Sequence, residues 1–241
     1  MKKIHYHSLI AFLSLLIVIS CSDGPNSSDT KPETADEVAH AIEKAIHKQD
    51  WDQTKWVHWI FPGPREHLWD RERGFAEIKW NNYRAVINLN SKEGRVYEND
   101  QLIDGTKKDS LMQKTWSAHI NDAFWLNAPA NLFDDGTKRS LVEKDGKTYL
   151  KVEYMTGGVT PGDHYIWHYD ENYLPTAWEM YVSVISTPGV LSMWEKWITL
   201  ESGAMIATIH RTGDRVMEMK EVKSGNSYQE FGMEEDPFGD L

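Results

Sequence analysis

His164-Tyr165-Ile166-Trp167-His168 sets two histidines four residues apart, a spacing at which a helix would aim both at one zinc ion. The flanking residues alternate as a strand does, and over four strand residues the separation is about 13 Å. Zinc holds each histidine nitrogen at about 2 Å, so no metal is expected at this pair. His168 and Asp170 are closer, about 6.6 Å along a strand, and are read as a structural hydrogen-bonded pair. Asp134-Asp135-Gly136 lacks the rest of a calcium loop and is read as a turn. His40 and His47 fall two helical turns apart, about 10.5 Å, and are read as solvated. The chain has no G-x-S-x-G, H-E-x-x-H or G-x-x-x-x-G-K-[ST] pattern. No catalytic residue, metal or cofactor is therefore assigned. Paired carboxylates stay open, because 37 acidic residues always supply some suitable pair.

The one cysteine, Cys21, has chemistry of a different kind. It follows a basic start, Lys2-Lys3, and an apolar run from Leu9 to Ile19 broken only by Ser14. That run is shorter than the roughly 20 apolar residues a membrane span needs and has the flanks of a secretory signal. Val18-Ile19-Ser20-Cys21 resembles a bacterial lipoprotein cleavage motif. Residues 1–20 are expected to leave as a signal peptide, with Cys21 as the lipid attachment point. Two or more acyl chains on one residue anchor stably, whereas a single chain binds reversibly.

Formal charge is −11, and loss of residues 1–20, which hold two lysines and no acid, takes it to −13. Such a chain is a poor partner for nucleic acid, whose affinity comes from Lys and Arg against phosphate. It is equally poor for electrostatic attachment to anionic headgroups. Membrane contact is therefore expected through the lipid on Cys21, with the protein a monomer.

Tryptophan is in excess: eleven residues, all beyond position 50. In 163–182, DHYIWHYDENYLPTAWEMYV, large side chains fall on both faces of two strands joined at Asp170-Glu171-Asn172, where Asn suits positive φ. Two readings stay open. The rings pack a solid core, or one face of a curled sheet lines an apolar groove. For the groove, the candidate ligand-binding residues are Trp59, Trp69, Trp80, Trp116, Trp167 and Trp178, which are large, apolar and spread over several elements.

These residues need a frame. Residues 21–33, polar with Gly and Pro, read as a lipidated N-terminus and flexible tether. Thr34-Ala35-Asp36-Glu37 is a capping box, and Val38, Ile42, Ala45 and Ile46 then follow at helical spacing. From Trp56 the period becomes two, as in Ala76/Ile78/Trp80, Tyr83/Ala85/Ile87 and Leu150/Val152/Tyr154, the pattern of half-buried antiparallel strands. A helix interrupts them at 109–126, with Met112, Trp116, Ile120 and Ala123 as its stripe and Phe124 beside it. Leu111, Trp125 and Leu126 lie off that stripe, so the helix should touch apolar material on more than one side. Strands follow at 139–143, 147–155, 164–170, 176–186, 191–201 and 204–211, with a seventh near 214–222. About eleven twisted strands tend to curl or close. The fold class is thus mainly β (α+β): a curled antiparallel sheet or incomplete up-and-down β-barrel with an N-terminal helix and an inserted lid helix. One domain spans 34–224, and 225–241 reads as a loose acidic tail.

That arrangement on a lipoprotein resembles the LolA/LolB-like lipoprotein-carrier superfamily and, within it, the LolA-like lipoproteins of Bacteroidetes-type bacteria. The stretches that carry the resemblance are His67-Leu68-Trp69-Asp70-Arg71, Asn121 through Pro129 (NDAFWLNAP), and Tyr169-Asp170 with Leu174 through Trp178 (LPTAW). It extends over about residues 35–222. The resemblance implies an incomplete β-barrel with a helical lid, an apolar concave face that takes acyl chains, and an outer-membrane location. The expected function is a lipid-anchored envelope protein holding a lipid, acyl chain or other hydrophobic small molecule. An envelope hydrolase acting on glycan or lipid, and a non-catalytic glycan- or partner-binding lipoprotein, are the alternatives.

Overall fold

The computed structural model of the protein describes residues 34–157 and 159–241. The segments expected as signal peptide and tether, with Cys21, lie outside them. The chain opens on α1 (Ala35–Ala45), capped as expected. The Thr34 hydroxyl accepts from the Glu37 amide at 3.2 Å, and the Glu37 carboxylate accepts from the Thr34 amide at 2.9 Å. A short α2 (Lys48–Gln53) follows.

Six strands then form a meander: β1 (Trp56–Phe61), β2 (Arg65–Asp70), β3 (Phe75–Trp80), β4 (Tyr83–Asn88), β5 (Gly94–Glu98) and β6 (Gln101–Ile103). The inserted helix, α3 (Gly105–Asn127), runs somewhat beyond 109–126 at both ends. A second meander comprises β7 (Thr137–Lys144), β8 (Lys147–Tyr154), β9 (His164–Tyr169), β10 (Pro175–Tyr181), β11 (Val190–Thr199), β12 (Met205–Thr212) and β13 (Arg215–Glu218), and β14 (Lys220–Gly225) ends it. Among the described residues these make two seven-stranded antiparallel sheets, ordered β14-β1-β2-β3-β4-β5-β6 and β13-β12-β11-β10-β9-β8-β7. There are more strands than the expected eleven because several, such as three-residue β6, are too short to show alternation.

The two sheets are nearly one. The stretch from Arg215 to Gly225 pairs with β12 through Ile209↔Glu218 and with β1 through Trp56↔Gly225. At the switch, the buried Met219 donates its amide to the Thr208 carbonyl at 2.8 Å. The remaining edges, β6 and β7, do not pair, so the barrel is incomplete. The connection between them is α3, about 34 Å long for its 23 residues.

Both sheets pack on α3, which meets β4 and β5 with its first half and β12 with its second. Its close approach to the first sheet requires Gly94, where a Cβ would stand 2.9 Å from the Met112 methyl carbon and overlap the Val86 carbonyl. The contact with apolar material on two sides is as expected: Leu126 joins Trp59 and Ile206, while Phe124 and Trp125 meet Trp178. The most deeply buried line of the helix was not the expected stripe. It runs through Met112, Thr115, His119, Asp122 and Leu126, and its centre is polar.

Three further expectations are corrected. The β9–β10 turn places positive φ (64°) on Tyr173 and not on Asn172, because Asp170 Oδ1 accepts from the amides of both Asn172 and Leu174 and fixes the turn one residue later. With Asp170 so engaged, His168 pairs instead with Glu179 on the neighbouring strand, at 3.0 Å. The segment from Gly225 is not loose. Phe238, Tyr228, Phe231 and Met233 pack on Trp56, Leu68 and Val86, which face outward from the first sheet, and Asp236 binds Arg73 through two hydrogen bonds. A sheet with apolar side chains on both faces needs a second cover, and the tail supplies it. Phe238→Ala should therefore cost about 3–5 kcal/mol in urea denaturation, whereas a loss below about 1 kcal/mol would mean that the tail is peripheral.

Candidate functional site

Strand alternation puts Arg65, His67 and Trp69 of β2 on the inner face, opposite Phe61, Trp59 and Val57 of β1. Trp59 stacks on His67 with ring centres 4.3 Å apart and planes 7° apart. Helical spacing brings His119 and Asp122 of α3 down onto the same place. Arg65 grips the Asp122 carboxylate with two hydrogen bonds, of 2.6 and 2.7 Å. His67 Nε2 lies 3.0 Å from Asp122 Oδ2, and a carboxylate only accepts, so the ring donates there. His67 Nδ1 then accepts from His119 Nδ1 at 3.3 Å.

His67, His119 and Asp122 are completely enclosed. Burial pushes both imidazoles below the ordinary histidine range, which keeps them neutral, and for His67 it outweighs the pull of Asp122. Burial alone would raise the Asp122 carboxyl, but the hydrogen bonds from His67 and Arg65 outweigh it and hold the group below the usual range. A hydrolase would need such a convergence of His and Asp, yet this one is sealed. It clamps the lid helix to the sheet.

A cavity with aromatic walls lies at the other face of α3. Its volume is about 470 Å³, and it opens beside Ile120, Asn121 and Phe124 of α3 and the ends of β8 and β9. Three rings wall it: Phe124 meets Tyr154 edge-on at 5.3 Å and Tyr165 at 5.3 Å, and the two tyrosines meet at 5.7 Å. Trp178 backs them, 4.5 Å from Tyr165 and 5.7 Å from Phe124. The loops add Asp134, Asp135, Val159 and Asp163. The Tyr154 ring is partly exposed, but its hydroxyl is enclosed and has no hydrogen-bond partner among the described residues. Burial, with the Asp134 charge next, raises that phenol well above its ordinary range. Burial and then Asp163 raise Tyr165 too. A larger hollow of about 640 Å³, near Lys92, Arg95 and Asp240, is lined mainly by polar and charged residues, with Met112 and Leu241 among them.

None of the six candidate tryptophans lines the 470 Å³ cavity. Trp59 and Trp69 flank the clamp, 5.7 and 5.3 Å from the His119 ring. Trp167 and Trp178 lie in the core with Trp194, at 5.0–5.2 Å from one another. Trp80 stacks on Tyr83 at the β3–β4 turn. Trp116 donates to the Leu89 carbonyl and carries Lys92 Nζ 3.7 Å over its ring. The clamp and the cavity walls were not picked out from sequence. The one signal for the clamp was a polar line, Thr115, His119 and Asp122, at helical spacing. Among the described residues no group of three or more His, Cys, Asp or Glu is placed to hold a metal ion.

No protein-family model and no curated protein matches the sequence. Among solved structures the chain is similar to a DUF1329 family protein from Desulfovibrio piger, with 11% identity, a TM-score of 0.38, and coverage of 80% of this chain and 96% of that one. A likeness this distant identifies neither family nor function.

Asp122→Asn leaves the partly exposed Arg65 without its counter-charge and the buried His67 with a weaker acceptor, and should cost about 1–3 kcal/mol, read by chemical denaturation. His67 and His119 have folded pKa values below the ordinary 6.5, so the unfolded chain binds more protons at acid pH. Wild-type stability should accordingly begin to fall below pH 6.5, and His119→Asn should reduce that slope, the buried His210, lowered to about 3, supplying part of what remains. An unchanged slope, or a small cost for Asp122→Asn, would show that the clamp does not hold the helix.

Proposed function

We propose that this is a lipid-anchored cell-envelope protein that holds a lipid, acyl chain or other hydrophobic small molecule at the mouth of a LolA-like incomplete barrel. The observation that carries the reading is the 470 Å³ cavity beside α3, walled by Phe124, Tyr154 and Tyr165. Its volume falls within the roughly 300–1,000 Å³ of small-molecule sites. Each CH₂ buried against those rings contributes about 0.8 kcal/mol, so an alkyl chain gains affinity with few polar contacts. The rim carries exposed apolar side chains as well. Met155 and Val159 beside the cavity are exposed, as is Val184 (76%) in the adjoining loop, where the Ser183 amide donates to Asp163 at 2.8 Å.

The barrel interior itself is packed, with Trp59, Trp167 and Trp178 fully buried. The ligand is accordingly placed at the end of the barrel, with Trp178 as a second layer behind the walls. Among the described residues no helix is long and apolar enough to cross a membrane. The anchor is assigned to Cys21 on its sequence context, with the outer membrane as the location the resemblance favours.

The cavity also has Asn121, Asn131 and Thr160 beside its rings, an arrangement that a sugar ligand would use. Calorimetric titration with 1-octanol separates the two readings. Octanol should bind the wild type, and the exposed Val159→Asp should weaken it at least tenfold. Saturation by soluble envelope saccharides with no octanol binding would move the assignment to glycan. For the anchor, Cys21→Ser should abolish incorporation of a palmitate analogue and release the protein from membranes, and retention of the label would contradict the assignment.

A further inference from the structure

We infer that the polar end of the ligand is an organic cation, an alkylammonium group seated among the rings and carboxylates of this cavity. The inference rests on the proposed hydrophobic-ligand reading and adds the charge of the head. The lining holds Asp134, Asp135 and Asp163 and no Lys, Arg or His. The cations whose charge reaches it are already engaged: Lys48 binds Asp52 at 2.6 Å, and Arg139 binds Asp36 at 2.6 Å. An anionic headgroup would find no donor of positive charge there.

One buried carboxylate of the lining has an oxygen to spare. Asp163 is 5% exposed, and one of its oxygens accepts from the Ser183 amide while the other has no hydrogen-bond partner among the described residues. Asp134 is reachable from the cavity, but the protein around it raises its carboxyl to about 6, mainly by burial. Lys48 lowers that value, and Asp135, Glu43 and Asp52 raise it.

The carboxylates are not gathered as metal ligands. They stand around three aromatic rings, which suits a large, diffuse cation. Ring faces attract ammonium groups within about 6 Å of the centroid, and most strongly where the site is desolvated. A neighbouring carboxylate adds to that attraction, Asp163 from a buried position and Asp134 and Asp135 from exposed ones.

The test is calorimetry on the purified protein with four probes at pH 7.5: octyltrimethylammonium, 1-octanol, octyl sulfate and tetramethylammonium. Octyltrimethylammonium should bind at least tenfold tighter than octanol, and octyl sulfate more weakly than octanol. The double variant Asp134→Asn/Asp163→Asn should bring the ammonium-to-octanol ratio below twofold, and its melting temperature checks that it folds. The Asp163→Asn change keeps a side-chain oxygen that can accept from the Ser183 amide. At pH 5, where Asp134 is protonated, the wild-type ratio should fall. Tetramethylammonium alone reports whether the head suffices or a lipid-like chain is needed, and binding of either ammonium probe in preference to octanol supports the inference. Equal affinity for octanol and octyltrimethylammonium would overturn it while leaving the hydrophobic-ligand reading intact. Absence of binding by all four would overturn both.

Discussion

The two free edges of the sheet, β6 and β7, impose the constraint on which the rest of this structure depends. A meander that curls but does not close exposes unpaired edges and an apolar inner face. One helix, α3, connects the free edges in the chain and packs against both sheets. It cannot do so by apolar contacts alone, since its most buried line has a polar centre. Asp122 is fixed by Arg65 and His67, and the grip on β2 sets the rotation of the helix about its axis. That rotation turns Phe124 and Trp125 toward the second sheet and so places the cavity wall. The clamp and the cavity are thus on opposite faces of one positioned helix.

Local features were legible in the sequence wherever a local rule decided them. The Thr34 cap, the strand alternation and the inserted helix each follow from short-range spacing. The buried polar line of α3 was not legible. His119 and Asp122 are polar, and only β2, some fifty residues earlier in the chain, supplies the partners that make their burial favourable. The C-terminal tail misled for a related reason: its acidic and Gly/Pro composition reads as loose, yet Phe238 and Tyr228 find places against Trp56. Among the aromatics, composition did not distinguish lining from core. The large Trp167 and Trp178 fill the interior, while smaller Phe124, Tyr154 and Tyr165 border open space.

A filled barrel with a cavity at one end differs from a wide hollow. The tryptophan core makes a rigid floor, and the loops after β8 and β10 form a rim whose exposed Met155, Val159 and Val184 leave apolar surface at the entrance. A ligand here would have its chain against rings and rim and its head among carboxylates. Such a division suits an amphiphile, with an apolar chain and a charged head.

The most direct measurement is intermolecular NOE spectroscopy on the protein saturated with octyltrimethylammonium. The account predicts cross-peaks from the methylammonium and chain protons to the rings of Phe124, Tyr154 and Tyr165. Cross-peaks confined to other surfaces, or none at these three rings, would contradict it.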